Sequence, residues 1–462
     1  MQRMLTATIC AALLGATARA QDALTCVAGF VAKVTASGVF VAGRELEEVR
    51  RIDLRTGAAD AFLAMLKVEL DKEGRSVTVT APGGVPVTAV YREGLGCAVL
   101  AGADGEVVRA QALAENAPQA PASPLADGRQ DEGVERADLD RLLAARLAVG
   151  ASGSDSHTRA LVVLRAGRLV AEGYRPGFGQ ESLHAGWSMA KTVGGALVML
   201  RADQGKLDIH APAPIPAWTA DGDQRAAITT LHLLRMSSGL QFEESYSKLT
   251  SDAVRMLFAS QSAAQAASVS PLVHEPGTRF AYSSGTANLL QAVLRSSFAE
   301  LKAYQTWPRR ALFDPAGIRS AVLEADASGL YVGSSFCWMT ARDWARFGQL
   351  LLDGGVVYTD EARTKAKRVL SAKAVALLHT PAPAARGGQY GAQTWLNRGR
   401  EGQPESRRFP SLPADLFYAS GFQGQFVLVF PTEQVVIVRL GVSTPGASFP
   451  VEAFARRVLE SL

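Results

Sequence analysis

Apolar residues recur at two periods along this chain. Helical spacing governs Val193, Ala196, Leu197 and Leu200, a run closed by polar Gln204 and Lys206. The same spacing recurs at Ala287, Leu289, Leu290 and Val293, and it predicts helices over 137–147 and 451–462. Strand-like runs are Ala160 to Leu164 and Leu169 to Tyr174, joined by a turn at Ala166-Gly167. A second hairpin joins Phe426–Phe430 to Val435–Val438 through Pro431-Thr432-Glu433-Gln434. Nearer the start, Val77–Thr80 and Val85–Tyr91 read as strands around Gly83-Gly84, with helices expected over 45–52 and 58–70.

These elements divide the chain. Residues 1–20 have an early Arg3, an apolar stretch from Leu5 to Ala16, and a small-x-small site at Ala18-Arg19-Ala20. That is the pattern of a secretory signal cleaved after Ala20, so a periplasmic or secreted protein is expected. Residues 21–115 form a small α+β region, 116–136 an Ala/Pro-rich linker, and 137–462 the main domain. Hydrophobic content of 48% and charge of 20% suit a globular enzyme with a sizeable core. The net charge of +4 becomes +2 once Arg3 and Arg19 leave with the signal. The remaining cations are scattered, which argues against nucleic acid as a partner. No unbroken run of eighteen apolar residues follows the leader, so no membrane span is expected. Cys10 leaves with the leader. Cys26 and Cys97 both fall in the N-terminal region and are expected to pair; Cys337 reads as a buried free thiol. No metal-ligand spacing is present, and no cofactor is expected.

Chemistry concentrates in three segments. In Trp187-Ser188-Met189-Ala190-Lys191, Ser188 and Lys191 stand one helical turn apart at the head of an apolar helix. That geometry lets a lysine handle the proton of a nucleophilic serine. It equally describes a helix N-terminal serine followed by a solvated lysine. A second copy, Ser245-Tyr246-Ser247-Lys248, sits in a polar stretch with no apolar helix behind it. The next segment, Pro276-Gly277-Thr278-Arg279-Phe280-Ala281-Tyr282-Ser283-Ser284-Gly285, is a turn leading into a helix. Tyr282 there is a second acid/base or a packed ring. In the last segment, Ala419-Ser420-Gly421-Phe422 enters the second hairpin. Gly421 marks a place for close backbone approach.

In this order the segments resemble the three motifs of serine hydrolases related to class C β-lactamases and penicillin-binding proteins. Ser188-x-x-Lys191 matches the first motif. Tyr282-Ser283-Ser284 stands where these relatives have Tyr-x-Asn, and Ala419-Ser420-Gly421 where they have Lys-Thr-Gly or His-Thr-Gly. Met236-Ser237-Ser238-Gly239, the stretch from Thr340 to Gly348 and that from Tyr390 to Asn397 resemble the branch of 6-aminohexanoate-dimer (nylon oligomer) hydrolases and related esterases.

The resemblance implies a β-lactamase-like α/β fold of the α+β type: an antiparallel sheet flanked by helices, with an inserted, mostly helical lobe. It implies Ser188 as nucleophile, Lys191 and Tyr282 sharing the proton work, and an oxyanion hole made by the backbone N–H groups of Ser188 and Phe422. Trp187, Tyr246, Ser284, Ser420 and Gly421 are the expected substrate-binding positions. Tyr246 would face the leaving group, or else is an exposed loop tyrosine; Trp338 and Trp395 are expected in the core. Two departures narrow the substrate. Ala419 lacks the cation that holds a β-lactam carboxylate, with Arg279, Arg346 and Arg398 as conceivable substitutes. Ser284 replaces an amide by a hydroxyl. A small ester or linear amide is therefore the expected substrate. The alternatives are a β-lactamase or D-alanyl-D-alanine peptidase, and a non-catalytic acyl or peptidoglycan binder.

Overall fold

The structure, a computed structural model, describes residues 21–55, 60–119, 125–129, 136–148, 157–360, 362–444 and 447–462. The expected leader and parts of the expected linker lie outside the described residues.

The scaffold of the main domain is a six-stranded antiparallel sheet. The small N-terminal sheet contributes β1 (Lys67–Asp71), β2 (Ser76–Thr80), β3 (Val87–Arg92) and β4 (Gly96–Val99). The main sheet follows with β5 (Thr158–Arg165), β6 (Arg168–Tyr174), β7 (Trp395–Leu396), β8 (Phe417–Gly421), β9 (Gln425–Phe430) and β10 (Val435–Gly441). Its spatial order is β7-β8-β9-β10-β5-β6, so the first strand of the domain pairs with the last. The two expected hairpins are present. Ala166 and Gly167 both take positive φ, 49° and 79°, as a two-residue turn between twisted strands requires.

Both faces of this sheet are buried, and alternation sorts the side chains. Val162, Leu164, Val427, Val429, Val436 and Val438 join one core; Leu161, Val163, Leu428, Phe430 and Ile437 join another. The six helices that matter here are α1 (Gln21–Val41), α2 (Arg136–Leu147), α3 (Met189–Asp203), α4 (Ser284–Ser296), α5 (Ala341–Leu352) and α6 (Val451–Glu460). Side chains of α3 and α5 pack in the first core, and those of α2 and α6 in the second.

The N-terminal region departs from expectation in three ways. Lys67–Asp71 is a strand, not the end of a helix; only Asp60–Leu63 is helical there. The alternation Lys67-Val68-Glu69-Leu70 has period two and pairs with β2. Among the described residues the three cysteines are free, and no Cys26–Cys97 bond forms. Cys97 is tied through its carbonyl to Lys33 Nζ at 2.7 Å. Lys33 lies seven residues, about 10 Å, along α1 from Cys26, beyond the Cα separation a disulfide spans. Finally, α1 has 21 residues and a mean hydropathy of 1.7, long and apolar enough to cross a membrane by length and composition. Lys33 and scattered hydroxyls interrupt any unbroken apolar run. Most of this helix (67% of its apolar window) is buried within the fold.

Residues 21–115 share the first core with the main domain: Val27, Phe30, Val31, Val77 and Cys97 belong to the same apolar cluster as Val193 and Leu197 of α3. Buried charge reinforces the join. Glu324, with no solvent exposure, receives Lys33 Nζ at 2.8 Å, Ser37 Oγ at 2.9 Å, the Cys97 N–H at 2.6 Å and Trp338 Nε1 at 2.7 Å. Asp53 accepts two hydrogen bonds from Arg159 of β5, at 2.7 and 3.0 Å, and another from Arg44 at 2.8 Å.

Arg159 and Arg44 outweigh burial and hold the Asp53 carboxyl well below the usual carboxylate range. Its folded-state value is depressed, so its contribution is present above about pH 4 and is lost as pH falls toward the folded value. Asp53→Asn takes from the buried Arg44 and Arg159 the carboxylate they share, leaving Glu48 as their acidic partner, and is expected to cost about 3 kcal/mol at pH 7. Urea unfolding at pH 7 and pH 3 checks this: the gap between variant and wild type should shrink at the lower pH.

Candidate active site

Ser188 sits at the N-terminus of α3, where unpaired backbone N–H groups favour developing negative charge. The preceding residue, Trp187, takes φ of 47°, a conformation unfavourable for a bulky side chain. The turn therefore presents Ser188 at a bend rather than in regular helix. One turn on, Lys191 is 2% exposed, and its Nζ has three partners at 3.0 Å: Ser188 Oγ, Ser284 Oγ and the Ser334 carbonyl. Burial pulls the Lys191 amine down to about 8, against the opposing pull of Glu244.

Tyr282 arrives from the next segment. The Met236-Ser237-Ser238-Gly239 turn grips that segment through Ala281 N–H to the Met236 carbonyl, 2.8 Å, and Gly277 N–H to the Ser237 carbonyl, 2.7 Å. Ser283 then caps α4 by accepting from the Thr286 N–H. The Tyr282 ring lies 4.8 Å from Lys191 Nζ and stacks on Trp395, centroids 5.0 Å apart. Burial pushes its phenol up, while a hydrogen bond with Ser188 draws it partly back. The structure thus brings Ser188, Lys191 and Tyr282 together. The second Ser-x-x-Lys copy forms no such pair: Lys248 is bonded to Glu243 instead.

Ser284 is more than a replaced amide. Its hydroxyl accepts from Lys191 and donates to Glu244 Oε1 at 2.6 Å, while its N–H donates to Glu244 Oε2 at 2.7 Å. Glu244 escaped the sequence reading, because it lies in an aperiodic loop forty positions before its partner. The only hint was an acidic residue two places before Tyr246. Trp395 was also misjudged: it packs on the Tyr282 ring at the site rather than only in the core.

Gly421 at the end of β8 passes very close to the turn that carries Ser188; a Cβ there would lie 2.0 Å from the Gly186 carbonyl oxygen. That approach brings Phe422 beside Trp187, with ring centroids 5.4 Å apart, and Tyr246 stacks on Phe422 at 5.1 Å. Tyr246 is therefore half-buried, not an exposed loop residue. Burial and Glu244 both raise its phenol. Ala419 is buried in the first core and offers only a methyl group. Ser420 falls on the opposite face of β8, the face of Tyr418, and makes no hydrogen bond to the trio. The conceivable substitutes for the missing cation are elsewhere occupied or exposed: Arg346 pairs with Asp343 at 2.7 Å, and Arg279 lies exposed beside His274.

Residues 139–460 match the Beta-lactamase family model, and the chain belongs to that family. Its fold is that of the β-lactamases. Over 266 residues it is 26% identical to a 6-aminohexanoate-dimer hydrolase of Paenarthrobacter ureafaciens, covering 54% of this chain and 64% of that relative. Two solved structures share the fold. EstCE1, a hydrolase with promiscuous acyltransferase activity, gives a TM-score of 0.54 at 15% identity, covering 71% of this chain and 98% of its own. A penicillin-binding protein homologue from Caulobacter crescentus gives 0.53 at 14% identity, covering 73% and 98%.

Two outcomes follow from this geometry. Gly421→Ala must push β8 away from Gly186 and is expected to lower ester turnover about 100-fold, read by steady-state kinetics. Ester kcat/KM is expected to rise with pH through an apparent value near 8 as Lys191 loses its proton. Glu244 favours the ammonium form, so Glu244→Gln should move that limb to lower pH. An unmoved limb would mean that Lys191 does not titrate there.

Proposed function

We propose that this chain is an exported serine hydrolase that cleaves short esters or linear amides through an acyl-enzyme on Ser188. The observation carrying this reading is a buried lysine amine 3.0 Å from the serine hydroxyl, with no carboxylate among its direct partners. At about 8, roughly a tenth of Lys191 is neutral at pH 7, enough to accept the Ser188 proton. Tyr282, raised by burial, stays a neutral phenol and is the proton donor for the leaving group. Ser188 attacks the carbonyl carbon, and its proton passes to Lys191. The oxyanion is held by the N–H groups of Ser188 and Phe422, each worth about 3–4 kcal/mol in comparable sites. Tyr282 protonates the departing alkoxide or amine and recovers a proton from Lys191. Water then repeats the sequence on the acyl-enzyme.

Ester and amide substrates fit better than β-lactams because Ala419 brings no cation to meet a carboxylate. Sequence similarity to the aminohexanoate-dimer hydrolase supports linear amides as candidates. Export rests on the leader-like residues 1–20.

Mature protein should hydrolyse p-nitrophenyl acetate and butyrate, with at least a 1,000-fold loss in Ser188→Ala (~10³), and should turn over nitrocefin slowly or not at all. Equal rates in wild type and Ser188→Ala would overturn the acyl-enzyme; rapid nitrocefin hydrolysis would favour a β-lactamase. A serine-directed acylating probe that fails to label Ser188 would favour a binder.

A further inference from the structure

Phe422, Gln423 and Gly424 form the turn that joins β8 to β9, and buried donors hold the carbonyl of each. Gln425 Nε2 donates to the Phe422 carbonyl at 3.1 Å. Arg439 Nη1 of β10 donates to the Gln423 carbonyl at 3.1 Å and to the Gly424 carbonyl at 2.7 Å, and the Ser443 N–H donates to the Gln423 carbonyl at 2.8 Å. Arg439 is 1% exposed and Gln425 3%. A further bond enters from outside the main domain: Gln423 Nε2 donates to the Asp53 carbonyl at 3.1 Å. Asp53 is itself fastened by Arg159 to β5, the strand beside β10. Both ends of this tether are therefore fixed to one sheet.

We propose that Gln423 is a positioning residue for the oxyanion hole, and that through it the N-terminal region holds the Phe422 N–H in place. The inference rests on the acyl-enzyme reading above, in which that N–H is the second oxyanion donor. The N–H belongs to the peptide unit between Gly421 and Phe422. On one side this unit meets the ladder pair Gly421–Gln425, and on the other the clamped Phe422 carbonyl. Its direction therefore follows the attitude of the turn. Gln423 sits at the apex with φ of 60°, a left-handed conformation that favours glycine or asparagine. Asparagine would suit that conformation better, but it is one methylene too short to reach Asp53. The Gln423 side chain is 8% exposed, and its amide is spent on the Asp53 carbonyl. An oxyanion donor acts by being fixed before charge develops, so a small rotation of the turn costs rate even where it costs little stability. The matched family model begins at residue 139, so this support for the oxyanion hole comes from outside the family domain.

The test is Gln423→Asn, which keeps the left-handed conformation and withdraws the bond to Asp53. With p-nitrophenyl acetate, kcat and kcat/KM should fall together by about tenfold, less than the roughly 100- to 1,000-fold lost when such a donor is removed outright. Phenylboronic acid, which adds to a reactive serine as a tetrahedral anion, should bind about tenfold more weakly. The urea midpoint should change little, and the pH limb near 8 should stay in place because Lys191 is untouched. Should Gln423→Asn fail to fold, Gln423→Gly also suits a positive φ and should lose turnover and boronic acid affinity in the same way. Wild-type kcat and wild-type boronic acid affinity in a folded variant would overturn the positioning role and leave the acyl-enzyme reading intact. A loss in kcat/KM with kcat unchanged would overturn it too, since the bond would then serve substrate binding alone. Absence of Ser188-dependent acetate turnover in wild type would overturn the acyl-enzyme reading, and this inference with it.

Discussion

The carboxylate of Glu324 is the constraint around which the two parts of this chain are assembled. A buried charge is tolerable only when its hydrogen-bonding capacity is met. Glu324 meets it with groups from three separate places: Lys33 and Ser37 of α1, the β4 backbone at Cys97, and the Trp338 indole. Withdrawing the N-terminal region would strip Glu324 of its counter-charge and three of its four partners. That region is therefore an integral part of the fold. Asp53 adds a second tie, and its carbonyl accepts the side-chain amide of Gln423, the residue after Phe422. One face of the N-terminal region thus reaches the turn that carries the expected oxyanion donor.

The site separates two groups that titrate near the same pH in water. Burial moves them in opposite directions, since it disfavours the charged form of each: the amine falls and the phenol rises. One environment therefore favours the neutral amine of Lys191 and the neutral phenol of Tyr282, the forms that the proposed proton transfers use. Glu244 moderates this through Ser284, so that a hydroxyl and a carboxylate together surround Lys191 where the family motif has an amide.

Much of this was legible in the sequence because it is local. The Ser188–Lys191 pair follows from helical spacing, and both hairpins follow from β-rich runs with turn residues between them. The close approach at Gly421 was marked by the absence of a side chain. What stayed hidden depends on distant partners. Glu244 meets Ser284 only because a loop folds onto the start of α4, and Trp395 of β7 reaches Tyr282 from 113 positions further along the chain. The Cys26–Cys97 expectation failed for the same reason: proximity along a region says nothing of which helix face a strand meets. Lys67–Asp71 was misread because a short alternating run beside helical residues carries both periods.

The pairing of β5 with β10 has a consequence for how this protein is made. Arg165 lies opposite Val435, 270 positions later, so the sheet closes only when the last part of the chain is available. Such non-local contacts slow folding, because loop closure precedes any reward from the contact. During that interval α1 has been synthesised but lacks its cover, since Phe258, Phe336 and Phe422 all come later in the chain. A long apolar helix waiting uncovered is prone to aggregate. The same helix that is mostly buried in the finished molecule is the part of the nascent chain most in need of a chaperone.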